Sequence, residues 1–151
     1  MRLLLPICLL FISLLSVTKI SAQTSSSDIE SVYGVAFPVN DGERVKYDAM
    51  IQMANGYISG VCVLLCERGV VRGAWFNEFG ITALDFTYYP DKCKVKLHHV
   101  VPLMDKWYIR RVLRKDLGRL MEALHHGETV YHNNHRNITY QMTPIEHAVT
   151  E

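Results

Sequence analysis

Apolar and polar residues alternate along much of the chain with the two-residue period of a β-strand. Arg44–Ala54 alternates almost without fault, which predicts a strand with one buried face and one face in water. Tyr57–Cys66 is apolar on both faces, which is typical of a central strand of a covered sheet. Asn55-Gly56 lies between them and is the dipeptide best suited to a two-residue hairpin turn. The pattern therefore predicts a β-hairpin whose second strand lies deep in a sheet.

Two aromatic-rich runs follow and meet at a single glycine. Val70–Phe79 and Ile81–Tyr89 are rich in β-prone residues, and Gly80 between them can take a backbone conformation closed to its bulky neighbours. Asn77 precedes this corner, and we expect it to shape the turn because its side chain can bond the nearby backbone. With the next strand, Cys93–Val101, the pattern predicts a meander of about five antiparallel strands.

One long amphipathic helix is predicted after the meander. Asp105 stands in the N-cap position of the helix Lys106–Leu124, and Gly127 follows the last turn as a C-terminal cap. The apolar residues of this helix recur at three- and four-residue spacing and form one stripe: Ile109, Val112, Leu113, Leu117, Leu120, Met121 and Leu124. Thr129–His132 and Asn137–Met142 predict a last hairpin. Together these elements predict an α+β domain in which a sheet wraps on the helix.

The first 22 residues predict a secretory signal peptide. Arg2 gives a positive end, Leu3–Val17 is an apolar run, and Ala22 is a small residue at the expected cleavage position. Cys8 has almost no apolar segment before it, so a lipid anchor at this cysteine is not expected. The remainder is expected to comprise a flexible lead-in at residues 23–31, a single domain at residues 32–143 and a loose tail at residues 144–151. This organisation predicts a periplasmic protein.

Composition narrows the classes of function. Removal of the first 22 residues takes away two of the 16 basic residues and leaves 14 against 15 acidic ones, a net charge of −1. That balance does not suggest a nucleic-acid partner. An odd number of cysteines remains, which argues against a disulfide framework. Cys62 and Cys66 are too far apart along one strand to bridge each other, whereas a bridge from either of them to Cys93 stays open.

The sequence contains no strong catalytic or metal-binding motif. His132 and His135 have the spacing of metal ligands, but they lie in a polar, Asn-rich turn with no further ligand close in sequence. Asp85 is an acidic residue inside an aromatic strand, and an ion pair with Arg72 on the adjacent strand explains it more simply than catalysis does. We find no nucleophile motif and no phosphate-binding loop. The sequence therefore predicts a protein that is not an enzyme and has no catalytic residue, cofactor or metal site.

A specific aromatic motif occupies Arg72–Tyr88 and reads R-x-x-W-F-N-E-F-G-I-T-x-L-D-F-x-Y. It is followed by a strand and by the helical run W-Y-I-R-R-V-L-R-K-D-L-G-R-L-M. This combination, over about Tyr47–Leu124, resembles the lipoprotein carrier and acceptor superfamily of bacterial envelopes, the LolA/LolB-like proteins, and particularly their Bacteroidetes-type relatives. The resemblance implies a curved antiparallel sheet, an unclosed barrel with helices over its open side. This chain is shorter than the carriers and is expected to form about seven strands, a half-barrel whose concave face is covered by the one helix.

The resemblance also implies a function. It predicts a non-enzymatic protein that binds acyl chains or lipoproteins in an apolar cavity during lipid and lipoprotein traffic through the envelope, including transport to the outer membrane. The residues expected to line the cavity are Ile58, Leu64, Trp75, Phe79, Phe86, Leu117 and Met121. The alternative is an envelope structural or protein-interaction module with a filled core and no ligand. A carrier needs a cavity larger than its own side chains fill, and such a module needs none.

Trp75 has two predicted places. Its large amphipathic ring suits the rim of a cavity that is apolar inside and wet outside, and a place in the core is the open alternative. Strand parity puts Val71, Gly73 and Phe79 on the same face as Trp75.

The polar face of the helix is basic. It carries Arg110, Arg111, Arg114, Lys115 and Arg119. The first four predict transient contact with an anionic membrane surface, where each cation contributes about 1 kcal/mol. The alternative is an ordinary solvated helix face.

Overall fold

The computed structural model describes residues Phe37–Ile145. Within this range the chain forms one α-helix and one seven-stranded antiparallel sheet with the spatial order β5-β4-β3-β2-β1-β7-β6. The strands are β1 (Arg44–Met53), β2 (Gly56–Glu67), β3 (Val70–Phe76), β4 (Thr82–Tyr89), β5 (Lys94–Val100), β6 (Val130–Asn133) and β7 (Ile138–Pro144), and the helix is α1 (Trp107–His125). The sheet curls into a half-barrel, which confirms the predicted α+β fold.

The two-sided apolar strand lies in the middle of the sheet, as predicted. β2 pairs with β1 on one side and with β3 on the other. Its residues Cys62, Leu64 and Cys66 are buried on the concave side. Val63 and Leu65 are half-buried on the opposite face. The second face is therefore apolar but only partly covered, and the segment contains no charged residue before Glu67.

The corner between β3 and β4 is longer than predicted. β3 ends at Phe76, and the side-chain oxygen of Asn77 accepts hydrogen bonds from the backbone N–H groups of Phe79 (3.0 Å) and Ile81 (2.9 Å). Gly80 has a φ of +75°, in the left-handed region that its neighbours avoid. The expected shaping role of Asn77 is confirmed, and it ends the strand earlier than the aromatic run suggests.

Helix α1 lies against the concave face and contacts β5 on one side and β6 on the other. Its buried residues include Leu113, Leu117 and Leu120, as the apolar stripe predicted. The expected N-cap was wrong: Lys106 holds that position without a side-chain bond, and the Asp105 carboxylate accepts a 2.7 Å hydrogen bond from Arg110. The Asp105 carboxylate therefore binds the Arg110 side chain and does not cap the backbone N–H groups of the helix.

Both ends of the helix differ slightly from the predicted bounds. The C-cap is His126, and Gly127 follows it with a φ of +86°. The backbone N–H of Gly127 donates a 3.0 Å hydrogen bond to the carbonyl of Leu124. A glycine in this conformation directly after the cap is the expected way to end a helix.

Several predictions concern the two ends of the chain. The signal peptide and the lead-in lie outside the described residues. Pro144, where a loose tail was expected to begin, is the last residue of β7, and residues 146–151 lie outside the described range. Cys62 and Cys66 are buried free thiols, and Cys93 is an exposed free thiol.

Candidate functional site

Most residues predicted to line an acyl-chain cavity lie in the hydrophobic core. Leu64, Phe86, Leu117 and Met121 are completely buried, and they belong to the same cluster of packed side chains as Trp75. Ile58 is half-buried at the margin of this cluster. These side chains fill the space between the sheet and α1, where the predicted ligand would have to lie.

Two places were predicted for Trp75, the rim of a cavity and the core, and the residue lies in the core. Only 1% of its surface is exposed, and its indole Nε1 has no hydrogen-bond partner among the described residues. Gly60 allows the ring to lie there, because a Cβ at that position would stand 3.1 Å from Nε1 and would also clash with the carbonyl of Phe76. An unpaired buried donor costs about 1–3 kcal/mol, so the apolar packing of the ring has to exceed this penalty.

Phe79 does not share the face of Trp75, and this prediction was wrong. Its side chain is 86% exposed in the turn between β3 and β4. The parity argument failed because β3 ends at Phe76, after which the Asn77 side chain reverses the chain direction. Val71 and Gly73 are buried on the Trp75 side of the strand, as parity predicted.

An open space lies between α1 and β5. Two neighbouring cavities of about 500 and 510 Å³ share Val95 and Arg114 and form one groove. We call it the α1/β5 groove, and its lining residues are Cys93, Lys94, Val95, Lys96, Leu97, Trp107, Arg110, Arg111, Arg114, Lys115, Gly118, Arg119 and Glu122. Two smaller cavities lie on the convex face of the sheet and beside Arg136 at the start of the helix. None of these four cavities is lined by a residue predicted to contact an acyl chain.

The groove is strongly basic. Among its charged residues, Arg110 pairs with Asp105 at 2.7 Å and Arg119 pairs with Glu122 at 3.2 Å. Within Phe37–Ile145, no ion pair is found for five other cations of the groove, namely Lys94, Lys96, Arg111, Arg114 and Lys115. Three of the four helix residues predicted to contact a membrane surface thus line the groove without an ion pair in this range, and the two lysines of the edge strand β5 lie at its rim.

The placement of these cations is unfavourable for the isolated protein. Arg111 lies three and four residues before Arg114 and Lys115, and like charges at these spacings destabilise a helix by about 0.2–0.5 kcal/mol per pair. A bound anion would relieve this repulsion, which makes the groove chemically suited to phosphate or carboxylate groups.

A buried polar cluster lies on the other side of the helix. Asp116 is 1% exposed, and its carboxyl oxygens accept hydrogen bonds from the Asn133 amide (2.9 and 3.0 Å) and from the Tyr140 hydroxyl (2.9 Å). Burial, and then the adjacent Asp116, raise the pKa of Tyr140 above its usual range. The sequence analysis missed this cluster, although Asp116 lies three residues after Leu113 and four before Leu120, in the buried stripe.

Other candidate chemistry stays separate from the groove. Arg72 forms its ion pair with Glu67 at 3.4 Å, and Asp85 lies diagonally across from Arg72 on the convex face, opposite Ala74. His132 shares a 2.8 Å hydrogen bond with Thr139 across the last hairpin. Among the residues that the structure describes, no group of three or more His, Cys, Asp or Glu side chains is arranged to hold a metal ion.

Comparisons with protein-family models, with curated proteins and with solved structures give no match to this chain. The resemblance to the lipoprotein carriers therefore stays a prediction. Between Phe37 and Ile145, α1 is the one α-helix, and no helix has the length and apolar character needed to span a membrane.

Proposed function

We propose that this protein is a non-enzymatic binding module of the cell envelope, with a filled core, which recognises phosphate groups of its partner through the α1/β5 groove. The observation that carries the proposal is a set of three α1 cations without an ion pair among the described residues, Arg111, Arg114 and Lys115, that line one groove. Lys94 and Lys96 of the edge strand β5 lie at the rim of this groove and add to its positive charge. This is the predicted interaction module, with the α1/β5 groove proposed as its contact surface.

Arginine is well suited to phosphate. Its planar guanidinium can donate two parallel hydrogen bonds to phosphate oxygens, and it keeps its charge at every physiological pH. Arg111 and Arg114 lie on the helix side of the groove. On the strand side Val95 and Leu97 are buried, and the exposed Lys94 and Lys96 alternate with them on β5. A phosphate in the groove would therefore meet the helix guanidinium groups first, with the two lysines at the rim.

The predicted carrier function has less support than the interaction module. An acyl chain in the core would have to displace Leu117, Phe86 or Met121, each of which is completely buried. Loss of one such packed side chain costs about 2–5 kcal/mol. Binding in the core would therefore need a large rearrangement, whereas binding in the groove needs none.

The proposal is tested by titrating the protein with inorganic pyrophosphate at constant ionic strength and following its backbone amide resonances. We expect the largest shifts in β5 and in the first half of α1. The variant Arg111→Gln/Arg114→Gln should lose most of the response. The matched control is Arg44→Gln/Arg72→Gln, which removes the same charge from a cavity on the convex face. Equal responses of the two variants, or shifts spread evenly over the surface, would contradict the proposal.

A further inference from the structure

One end of the half-barrel carries large apolar side chains in solvent. This apolar end consists of Tyr57, Phe79, Ile81, Leu103, Trp107 and Tyr108, all of which are exposed. Leu103 is 85% exposed and Trp107 is 75% exposed, so neither contributes its apolar surface to the core. Soluble monomers seldom expose several large apolar groups together unless that surface has a binding role.

Strand register places these residues at the same end. The backbone N–H of Val101 donates a 2.8 Å hydrogen bond to the carbonyl of Ala83, so Leu103 and Ile81 follow and precede strand ends that meet at the same end of the sheet. Ser59, near the start of β2, donates a 2.6 Å hydrogen bond to Glu78 in the turn that holds Phe79. The exposed apolar residues therefore lie at one end of the half-barrel.

The apolar end and the α1/β5 groove are continuous. Trp107 is the first residue of α1, and it lines the groove together with Arg110 and Arg114. Trp107 also packs edge-on against Tyr108, with ring centroids 5.9 Å apart. Apolar and aromatic side chains thus come first along the helix, and the unpaired cations follow within two turns.

We infer that the protein docks on an anionic lipid bilayer with its apolar end in the interface and its groove cations at the head-group phosphates. Trp and Tyr are the side chains preferred at the membrane–water boundary, because one part of each is apolar and another part is polar. Asp105, an acidic residue at this end, is paired with Arg110, which offsets its charge.

A bilayer accounts for more of the surface than other occupants do. A free phosphate compound would occupy the groove but leave Leu103 and Phe79 in water. A second copy of the chain could cover the apolar end, but a symmetric contact at α1 would bring two sets of unpaired cations together. In an anionic bilayer the apolar interior lies beneath the head-group phosphates. The protein offers a matching arrangement, because its apolar end precedes the groove cations along α1.

This inference rests on the proposed phosphate recognition, and the two tryptophans give a direct test. Trp75 is buried and Trp107 is exposed, and the chain has two tryptophans in all. The protein, recovered from the envelope of expressing cells with its N-terminus defined by mass spectrometry, is mixed with vesicles of phosphatidylglycerol or of phosphatidylcholine. We expect phosphatidylglycerol to shift the emission to shorter wavelength and to protect Trp107 from acrylamide. A Trp107→Phe variant, which keeps only Trp75, should show neither change.

Two surface variants identify the part of the protein that inserts. Leu103→Ser should weaken partitioning onto phosphatidylglycerol by about tenfold, since transfer of one leucine side chain out of water is lost. Val39→Ser is the matched control, because Val39 is also exposed but lies at the other end of β2, where its carbonyl accepts a bond from Cys66. Equal effects of the two changes would overturn the inference.

The outcomes separate the inference from the proposed function. Pyrophosphate binding in the groove without protection of Trp107 on vesicles would overturn bilayer docking and leave phosphate recognition intact. Equal protection on both lipids would overturn the role of the groove cations in docking. Protection of Trp107 without vesicles, together with a dimeric mass in sedimentation, would replace the bilayer by a second copy. Loss of both pyrophosphate and vesicle binding would overturn both proposals.

Discussion

The hydroxyl of Tyr140 donates a 2.9 Å hydrogen bond to Oδ2 of Asp116, and both side chains are buried. Asp116 lies in the middle of α1 and Tyr140 lies in β7, so this bond joins the helix to the last hairpin of the sheet. The Asn133 amide donates to both carboxyl oxygens from β6. Each oxygen of the buried carboxyl therefore has a donor, which offsets the cost of taking it out of water.

Tyr140→Phe should destabilise the protein by about 1–3 kcal/mol, because the carboxyl of Asp116 would lose one of its buried donors. Urea unfolding measures the difference. The control is Tyr131→Phe on the neighbouring aromatic ring, whose centroid lies 6.0 Å from that of Tyr140. Among the described residues the Tyr131 hydroxyl has no hydrogen bond, so this change should stay within about 0.5 kcal/mol. Similar losses for both variants would show that the Tyr140 bond contributes little.

Most of the fold could be predicted because its strands and its helix carry clear periodic patterns. The alternation in Arg44–Ala54 corresponds to β1, which has one buried face and one largely exposed face, and the two-sided apolar run Tyr57–Cys66 lies in the central strand β2. Errors arose where one side chain overrides a periodic pattern. Asn77 bonds to the backbone of Ile81 and ends β3 early, and this places Phe79 in solvent. The alternation of apolar and polar residues gives no sign of this contact between Asn77 and Ile81.

The candidate site was predictable only in part. The basic face of the helix is visible as a pattern, and it includes Arg111 and Arg114. Lys94 and Lys96 lie on a separate strand, and their approach to the helix depends on how α1 packs on the edge of the sheet. Asp116 was missed for a different reason. Its charge suggests a solvent-exposed position, and only the tertiary contact with Asn133 makes its buried position favourable.

Leu117→Ala should destabilise the protein by about 2–5 kcal/mol if the core is filled by its own side chains. Leu117 is completely buried in the cluster that contains Trp75 and Phe86. Denaturant unfolding gives this value, and mass spectrometry of the purified protein reports any acyl chain that accompanies it. We expect no stoichiometric acyl chain. A loss below about 1 kcal/mol, together with a co-purified acyl chain, would favour the lipoprotein-carrier hypothesis over the filled core.

Two glycine substitutions should have opposite effects. A Cβ at Gly73 would stand close to the Phe86 ring, with Cε1 2.5 Å and Cε2 2.7 Å away, and Phe86 is completely buried. Gly73→Ala should therefore cost about 1–3 kcal/mol through overpacking.

In α1, a Cβ at Gly118 would stand 3.4 Å from the Cys93 carbonyl, an ordinary contact. Gly118→Ala should stabilise the protein by up to about 1 kcal/mol, because alanine is the better helix former. Thermal unfolding compares the variants, and a destabilised Gly118→Ala protein would mean that α1 needs closer contact with β5.

The free energy of unfolding should fall at alkaline pH, because the fold keeps certain groups protonated. Burial raises the pKa of the Cys62 thiol from 9.0 to about 12, and burial together with Asp116 raises the pKa of Tyr140. Because the folded pKa values lie above the unfolded ones, the contribution of these groups is complete below about pH 9 and is lost as the pH rises toward the folded values. Each proton retained only by the folded state gives a slope of at most about 1.4 kcal/mol per pH unit. Urea unfolding between pH 7 and 11 measures the fall. Cys62→Ala should be less stable at pH 7 but should lose less stability between pH 9 and 10, and parallel curves for the variant and the natural chain would contradict this assignment.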